Sequence, residues 1–176
     1  MTTSLPIKDI KEIKAIEKLL TRKQQTSQLL MFLLAINTGI GFTELLNLKV
    51  KDVKDKTCLL LGKQKSIPLS SKIIKLINQE VKNKKSSDYL FKNSKGNKCG
   101  RGLVFYTFKD NCEELELSEN YSPASWRKTF AYHHYLKYKD LSYIGWHFNH
   151  NSINQTLKYI DVIENINLRY RKGVVL

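Results

Sequence analysis

Residues 148–160 read FNHNSINQTLKYI, which places His150 nine residues before Tyr159. The stretch predicts a short helix, beginning at about Ser152, that carries Tyr159. A tyrosine on an amphipathic helix usually packs in the core, and that interpretation stands beside a chemical role for its hydroxyl. The segments upstream decide between the two.

The first half of the chain predicts helices around one apolar centre. Residues 8–20 place isoleucine and leucine at helical spacing, with lysine and glutamate between them. Residues 26–37 are almost entirely apolar, which predicts a central helix capped by Thr26 or Ser27. Thr43 is expected to cap a short helix that follows.

A β-hairpin and further helices complete the prediction. Strand-like segments at 57–61 and 65–69 flank a turn at 62–64. Four more helices are expected before the Tyr159 helix, at about 71–81 (capped by Ser70 or Ser71), 101–115, 123–137 (capped by Ser122) and 141–147 (capped by Asp140). The sequence therefore predicts one α+β domain, predominantly helical, over residues 1–176.

Charge narrows the class of partner. The chain has 176 residues and a net charge of +14, which favours nucleic acid and, less strongly, an anionic membrane surface. The longest apolar run, residues 29–36, is too short to span a bilayer. Three cysteines without C-x-x-C spacing indicate reduced thiols and a cytoplasmic protein, and the Lys, Asn and Ile content favours a bacterial or phage source.

Lysine is concentrated in the middle of the chain. Residues 49–85 contain eleven lysines and three acidic residues. Such a run is either a solvated surface or a footprint for a phosphate backbone, where neutralised phosphates release counterions. The cysteines and histidines have no zinc-ligand spacing, and no phosphate-binding or nucleotide-binding glycine motif is present, so no metal or cofactor is predicted.

Four segments together resemble the tyrosine recombinase (phage integrase) family, in the family's order. They are INTGIGFTELLNLKVKDV (36–53), LLGKQKSIPLS (60–70), PASWRKTFAYHHY (123–135) and FNHNSINQTLKYI (148–160). The resemblance extends from about residue 8 to residue 165 and implies the catalytic-domain fold of that family, with its small β-hairpin sheet. It also implies that the N-terminal domain of most integrases is missing here or supplied by a partner.

The resemblance implies a metal-free attack of a tyrosine on a DNA phosphodiester, giving a 3′-phosphotyrosine. Tyr159 occupies the nucleophile position, His150 the last histidine position and Arg127 the second arginine position. Lys63 is the first candidate for the hairpin lysine that protonates the leaving oxygen, with Lys65 as its competitor. Arginine and histidine donors would hold the charge that develops on the phosphoryl oxygens.

Two positions depart from the family pattern. Gly41 stands where the family has its first arginine, and Ala124 where it has the second-block histidine. A positioned arginine at a phosphoryl transition state is worth about 10³–10⁵ in rate, and an acid–base side chain about 10²–10⁴. Lys49 or Arg101 could compensate, although lysine lacks the bidentate fork of arginine.

The sequence thus predicts a DNA-binding protein with a degenerate active site, acting as a regulator or accessory factor. An active site-specific recombinase and a protein-interaction module remain alternatives. The residues expected to contact double-stranded DNA are Lys49, Lys51, Lys54, Lys63, Lys65, Arg101, Arg127 and Lys128. The tail, residues 161–176, either folds back on its own core or docks on a second copy of the chain.

Overall fold

The computed structural model describes residues 4–62, 65–118 and 120–162. It confirms a predominantly helical α+β domain, with a two-stranded sheet in the described part. In chain order the elements are α1 (Ile10–Arg22), α2 (Thr26–Thr38), α3 (Phe42–Asn47), α4 (Val50–Val53), β1 (Cys58–Leu61), β2 (Lys65–Pro68), α5 (Ser71–Val81), α6 (Arg101–Glu114), α7 (Pro123–Tyr138), α8 (Leu141–Phe148) and α9 (Ile153–Tyr159).

Helix α2 lies at the centre, as its apolar sequence predicts. Seven consecutive residues from Leu29 to Ala35 are buried, and the helix packs against α1, α5 and α7. Phe32 contributes to an aromatic cluster in which Trp126 lies edge-on to Phe32, Phe42 and Phe108. Trp126 is 2% exposed, so the start of α7 is anchored directly in the core.

Two predicted helix caps are wrong, because the hydroxyls concerned have other partners. Thr26 is the first residue of α2, and Ser27 donates to the Glu80 carboxylate at 2.9 Å. Thr43 lies inside α3, where its Oγ1 accepts from Arg101 at 3.3 Å. Instead, α3 begins after Gly41, whose N–H donates to the Glu44 carboxylate at 3.1 Å.

The other predicted caps and the hairpin are confirmed. Ser70, Ser122 and Asp140 each accept a hydrogen bond from a backbone N–H in the first turn of the helix that follows. Ser152 caps α9 in the same way, although it was not named as a cap from the sequence. The strands β1 and β2 pair antiparallel in the register 58↔68 to 61↔65.

A second apolar cluster holds the last three helices together. It joins α7, α8 and α9 through Phe130, Ala131, Ile144, Phe148, Leu157 and Ile160. Within the described ranges no helix is long and apolar enough to cross a membrane. The cysteines at 58, 99 and 112 are all unpaired.

Candidate active site

Tyr159 is the last residue of α9 and is partly buried. Its ring packs against Phe148, with centroids 5.2 Å apart, and lies edge-on to His150 at 5.0 Å. Burial raises the pKa of the Tyr159 phenol, and the nearby Arg127 guanidinium acts in the opposite direction. At neutral pH the hydroxyl therefore stays protonated, and attack on a phosphate requires a proton acceptor or further positive charge.

His150 is held against α9. Its Nδ1 lies 3.0 Å from the hydroxyl oxygen of Thr156, one helical turn before Tyr159. Burial and the positive charge of Arg127 lower the pKa of the His150 imidazole. With Nδ1 engaged by Thr156, Nε2 is the nitrogen left for a contact outside the protein.

Arg127 lies one turn into α7 and connects these residues to the N-terminal half. Its guanidinium carbon is 4.6 Å from the centre of the Phe148 ring. Its Nε is buried and has no hydrogen-bond partner among the described residues. A buried N–H costs free energy unless it is paired, and because this atom is shielded from solvent, an anion bound outside the protein does not reach it directly.

The two departures from the family pattern lie beside Arg127. A Cβ built on Gly41 would be 3.1 Å from Nη1 of Arg127 and 3.0 Å from the Glu44 carboxylate. Gly41 has a φ of −68°, which any residue adopts, so backbone geometry does not require glycine there. Ala124 is exposed on α7, one turn before Arg127. Position 41 therefore lies beside Arg127 and position 124 lies one turn before it, but neither Gly41 nor Ala124 provides a charged or hydrogen-bonding side chain.

The two candidate hairpin lysines differ in what the structure describes. Lys63 lies outside the described residues. The Lys65 ammonium donates to the His147 carbonyl at 2.9 Å and to the Asn149 side chain at 3.3 Å, and it lies 5.1 Å from the Trp146 ring centre. Lys65 therefore ties β2 to the end of α8, immediately before His150.

The other predicted DNA contacts fall into two groups. Lys128 lies near the site: its ammonium is 5.4 Å from the Tyr159 ring centre, and burial lowers its pKa. Arg101 lies at the start of α6, with its guanidinium carbon 5.5 Å from the Phe42 ring centre. Lys49, Lys51 and Lys54 lie on or beside α4, where Lys51 and Lys54 are exposed.

Ion pairs reduce the free charge of the central lysine run. Lys72 pairs with Glu17, and Lys84 pairs with Glu80. These lysines stabilise contacts between or within helices, so the exposed positive surface is smaller than the sequence count suggests.

Two residues near the site were not identified as functional from the sequence. His147 is 2% exposed, and a Cβ on Gly39 would be 2.7 Å from its Nε2. Burial, Lys65 and Arg127 lower the pKa of His147 to about 4, so it is neutral at pH 7. The Lys8 ammonium donates to the Asp161 carbonyl at 2.9 Å and carboxylate at 2.7 Å, which fixes the chain just beyond Tyr159. Only tertiary packing reveals either role.

In the part of the chain that the structure covers, no three histidine, cysteine or acidic side chains are close enough to hold a metal ion.

Comparison with known proteins places the chain in a family. The sequence model of the Phage integrase family matches residues 6–165. A probable integrase/recombinase of Bacillus subtilis, YoeC, is 27% identical over 164 residues, which cover 90% of each chain. Tyrosine recombinase XerC of Pelobacter propionicus is 27% identical over 134 residues, or 72% of this chain and 44% of that protein.

Solved structures agree in fold. The crystal structure of XerA recombinase superposes with a TM-score of 0.76 at 16% identity, covering 97% of this chain and 65% of that one. The XerH site-specific recombinase bound to its difH substrate, in a pre-cleavage complex, gives 0.69 at 20% identity, covering 90% and 50%. The chain thus spans nearly all of YoeC but only half to two thirds of these larger recombinases. With the family model matched along most of its length, the chain belongs to the phage integrase family of tyrosine recombinases.

Proposed function

We propose that this chain binds double-stranded DNA through the face that carries Arg127, His150 and Tyr159, and that its ability to cleave DNA is impaired. It would then act as a regulator or accessory factor of recombination. A location in the cytoplasm of a bacterium, with the gene on a phage or mobile element, fits this function.

The position of Gly41 is the observation that carries the proposal. Its missing side chain would lie beside the Arg127 guanidinium, where the family has a second cation for the same phosphate. Arg127 alone keeps enough charge to contact a phosphate in the ground state. The transition state carries more negative charge than the bound ground state. The missing arginine therefore reduces the stabilisation of the transition state more than it reduces the affinity for DNA.

The DNA-binding half of the proposal is supported by charge. A net charge of +14 and the exposed lysines on and beside α4, Lys51 and Lys54, favour a polyanion. Solved members of the same fold include recombinases bound to DNA, such as the XerH complex.

An active site-specific recombinase is the second candidate. The observation that favours it is the assembled nucleophile side, in which Tyr159 and His150 are in ring contact and Arg127 acts to lower the pKa of Tyr159. Such an enzyme would form a 3′-phosphotyrosine, with the proton for the leaving 5′ oxygen supplied by Lys63 or Lys65.

Salt dependence tests the DNA-binding half. Affinity for a duplex should fall steeply between low and physiological salt, and Arg127→Ala should reduce the slope of log K against log salt by about 0.9, one phosphate contact. Lys18→Ala, an exposed change on α1, is the matched control and should leave the slope unchanged. Absence of binding, or binding insensitive to salt, would favour a protein-interaction module instead.

Self-association through the tail is a separate proposal. Residues 163–176 lie outside the described part of the chain, so it rests on the sequence, which ends in basic and apolar residues. Truncation after Asp161 should leave a folded monomer that no longer associates. Unchanged association in sedimentation would contradict a role for the tail.

A further inference from the structure

A groove opens beside the candidate site, between the starts of α3, α6 and α7. Its volume is about 410 Å³. The side chains that line it include Phe42, Arg101, Phe105, Tyr106, Pro123 and Ala124. Phe105 and Tyr106 are 41% and 68% exposed, so the groove is accessible from solvent.

The groove lies next to Ala124, one of the two positions that depart from the family pattern. Ala124, which lines it, is one turn before Arg127 on the same helix. Phe42, on its opposite side, directly follows Gly41 and packs edge-on against Trp126 at 6.0 Å. Ala124 has only a methyl group, and Gly41, which precedes Phe42 in the chain, has no side chain, so neither position fills space beside the groove.

Arg101 lies across this groove with little to hold its charge. Its guanidinium carbon is 5.5 Å from the Phe42 ring centre, and Nη1 donates to Thr43 at 3.3 Å. Within the described residues it forms no ion pair with an acidic side chain. A guanidinium has five N–H donors, and the single hydrogen bond to Thr43 leaves most of them for a ligand.

We propose that Arg101 is the second phosphate-contacting cation of this site, reaching across the groove that Phe42 and Ala124 line. The inference rests on the proposed DNA binding. It explains how the protein contacts the DNA phosphates without an arginine at position 41. Arginine suits the role, since its planar fork binds phosphate oxygens in pairs. Arg101 approaches from α6, whereas the family's first arginine would project from position 41, so the contact stabilises bound DNA without restoring cleavage.

A double-mutant cycle on duplex binding tests this assignment. Arg101→Ala and Arg127→Ala should each weaken binding about tenfold, as expected for one charge-assisted contact. If both contact the same phosphate, the double variant should bind about as weakly as the weaker single variant. The control combines Lys51→Ala with Arg127→Ala. Lys51 lies on a different helix, α4, and does not share the phosphate of Arg127, so the losses of affinity caused by the two substitutions should multiply. Thermal melting of each variant verifies folding.

Introducing the missing arginine gives an independent readout. In a Gly41→Arg background, Arg101→Ala should cost twofold or less, because the new side chain takes over the contact. Two results together would overturn the assignment and leave the proposed DNA binding intact. In the first, the losses of affinity caused by Arg101→Ala and Arg127→Ala multiply in the double variant. In the second, Arg101→Ala weakens binding as much in the Gly41→Arg background as in the wild type. A wild-type chain that fails to bind duplex would overturn both.

Discussion

The two sides of the candidate site differ in how they are built. On the α7–α9 side, Arg127 and Tyr159 both pack against Phe148, and Tyr159 also contacts His150. On the other side, Gly41 has no side chain beside Arg127, and Ala124 lines an open groove. Side chains on the first side contribute to packing whether or not chemistry occurs, so their presence is weak support for cleavage. The lack of a charged or hydrogen-bonding side chain at positions 41 and 124 has no such structural explanation, and it is the reason for proposing that cleavage is impaired.

Rebuilding the second side should have the largest effect. Gly41→Arg with Ala124→His restores one cation and one donor, and we expect the rate of covalent protein–DNA complex formation to rise about 10³-fold or more, so that a band becomes visible. The ordinary backbone at Gly41 accepts a side chain, and the atoms a Cβ would approach are the flexible ends of Glu44 and Arg127. The measurement is a denaturing gel with nicked DNA.

The same double variant carrying Tyr159→Phe is the control and should give no complex. A rebuilt chain that folds and binds DNA but forms no more complex than the wild type would show that the defect lies elsewhere.

Gly39 joins the two sides, and its replacement should unfold much of the site. It ends α2 with a φ of +67°, and a Cβ would lie 2.7 Å from both His147 Nε2 and Phe130 Cδ1. Gly39→Ala should lower the free energy of unfolding by about 4 kcal/mol, from a strained backbone and an overfilled contact. Gly102→Ala, with its nearest neighbour at 4.0 Å, should change it by about 1 kcal/mol or less. Equal effects in chemical denaturation would contradict this role for Gly39.

Burial of His147 predicts a pH dependence of stability. Its pKa of about 4 in the folded chain lies below the ordinary value of 6.5, so the neutral form is favoured by folding. The resulting stability is complete above pH 6.5 and is lost as the pH falls toward 4, by about 3 kcal/mol. His147→Leu should flatten this part of the stability curve. An unchanged slope in the variant would mean that other groups cause the loss.

Lys65 should have the smallest effect. Lys65→Ala removes its hydrogen bond to the His147 carbonyl and its contact with Trp146, and should cost about 1 kcal/mol of stability. Lys54→Ala, an exposed change on α4, should cost less than about 0.5 kcal/mol. A Lys65→Ala chain as stable as the Lys54→Ala control would show that Lys65 is free for DNA.

Local pattern was sufficient for most of the fold. The apolar run of α2, the Ser122–Pro123 start of α7 and the hairpin at 58–68 follow from periodicity and capping, which are local properties. The caps at Thr26 or Ser27 and at Thr43 were wrong because Ser27 bonds to Glu80, 53 residues away, and Thr43 to Arg101. Such long-range partners leave no trace in local sequence.

The members of the candidate site could be named from the sequence, but their arrangement could not. The spacing of His150 and Tyr159 indicates one part of the candidate site. The order of the four segments that resemble the family identifies Arg127, Gly41 and Ala124. Three features of the arrangement depend on tertiary packing. Position 41 faces Arg127, Lys65 bonds to the chain before His150, and one groove is lined by both Arg101 and Ala124. The buried neutral state of His147 likewise follows from its neighbours rather than from its spacing.

The most direct test of impaired cleavage compares wild type with Tyr159→Phe on nicked duplexes that trap the covalent intermediate. The proteins are assayed for binding on a native gel and for a covalent band on a denaturing gel. We predict salt-sensitive binding by both proteins and no covalent band from either. A band formed by the wild type and absent from Tyr159→Phe would show that Gly41 and Ala124 are compensated and that the chain is an active recombinase.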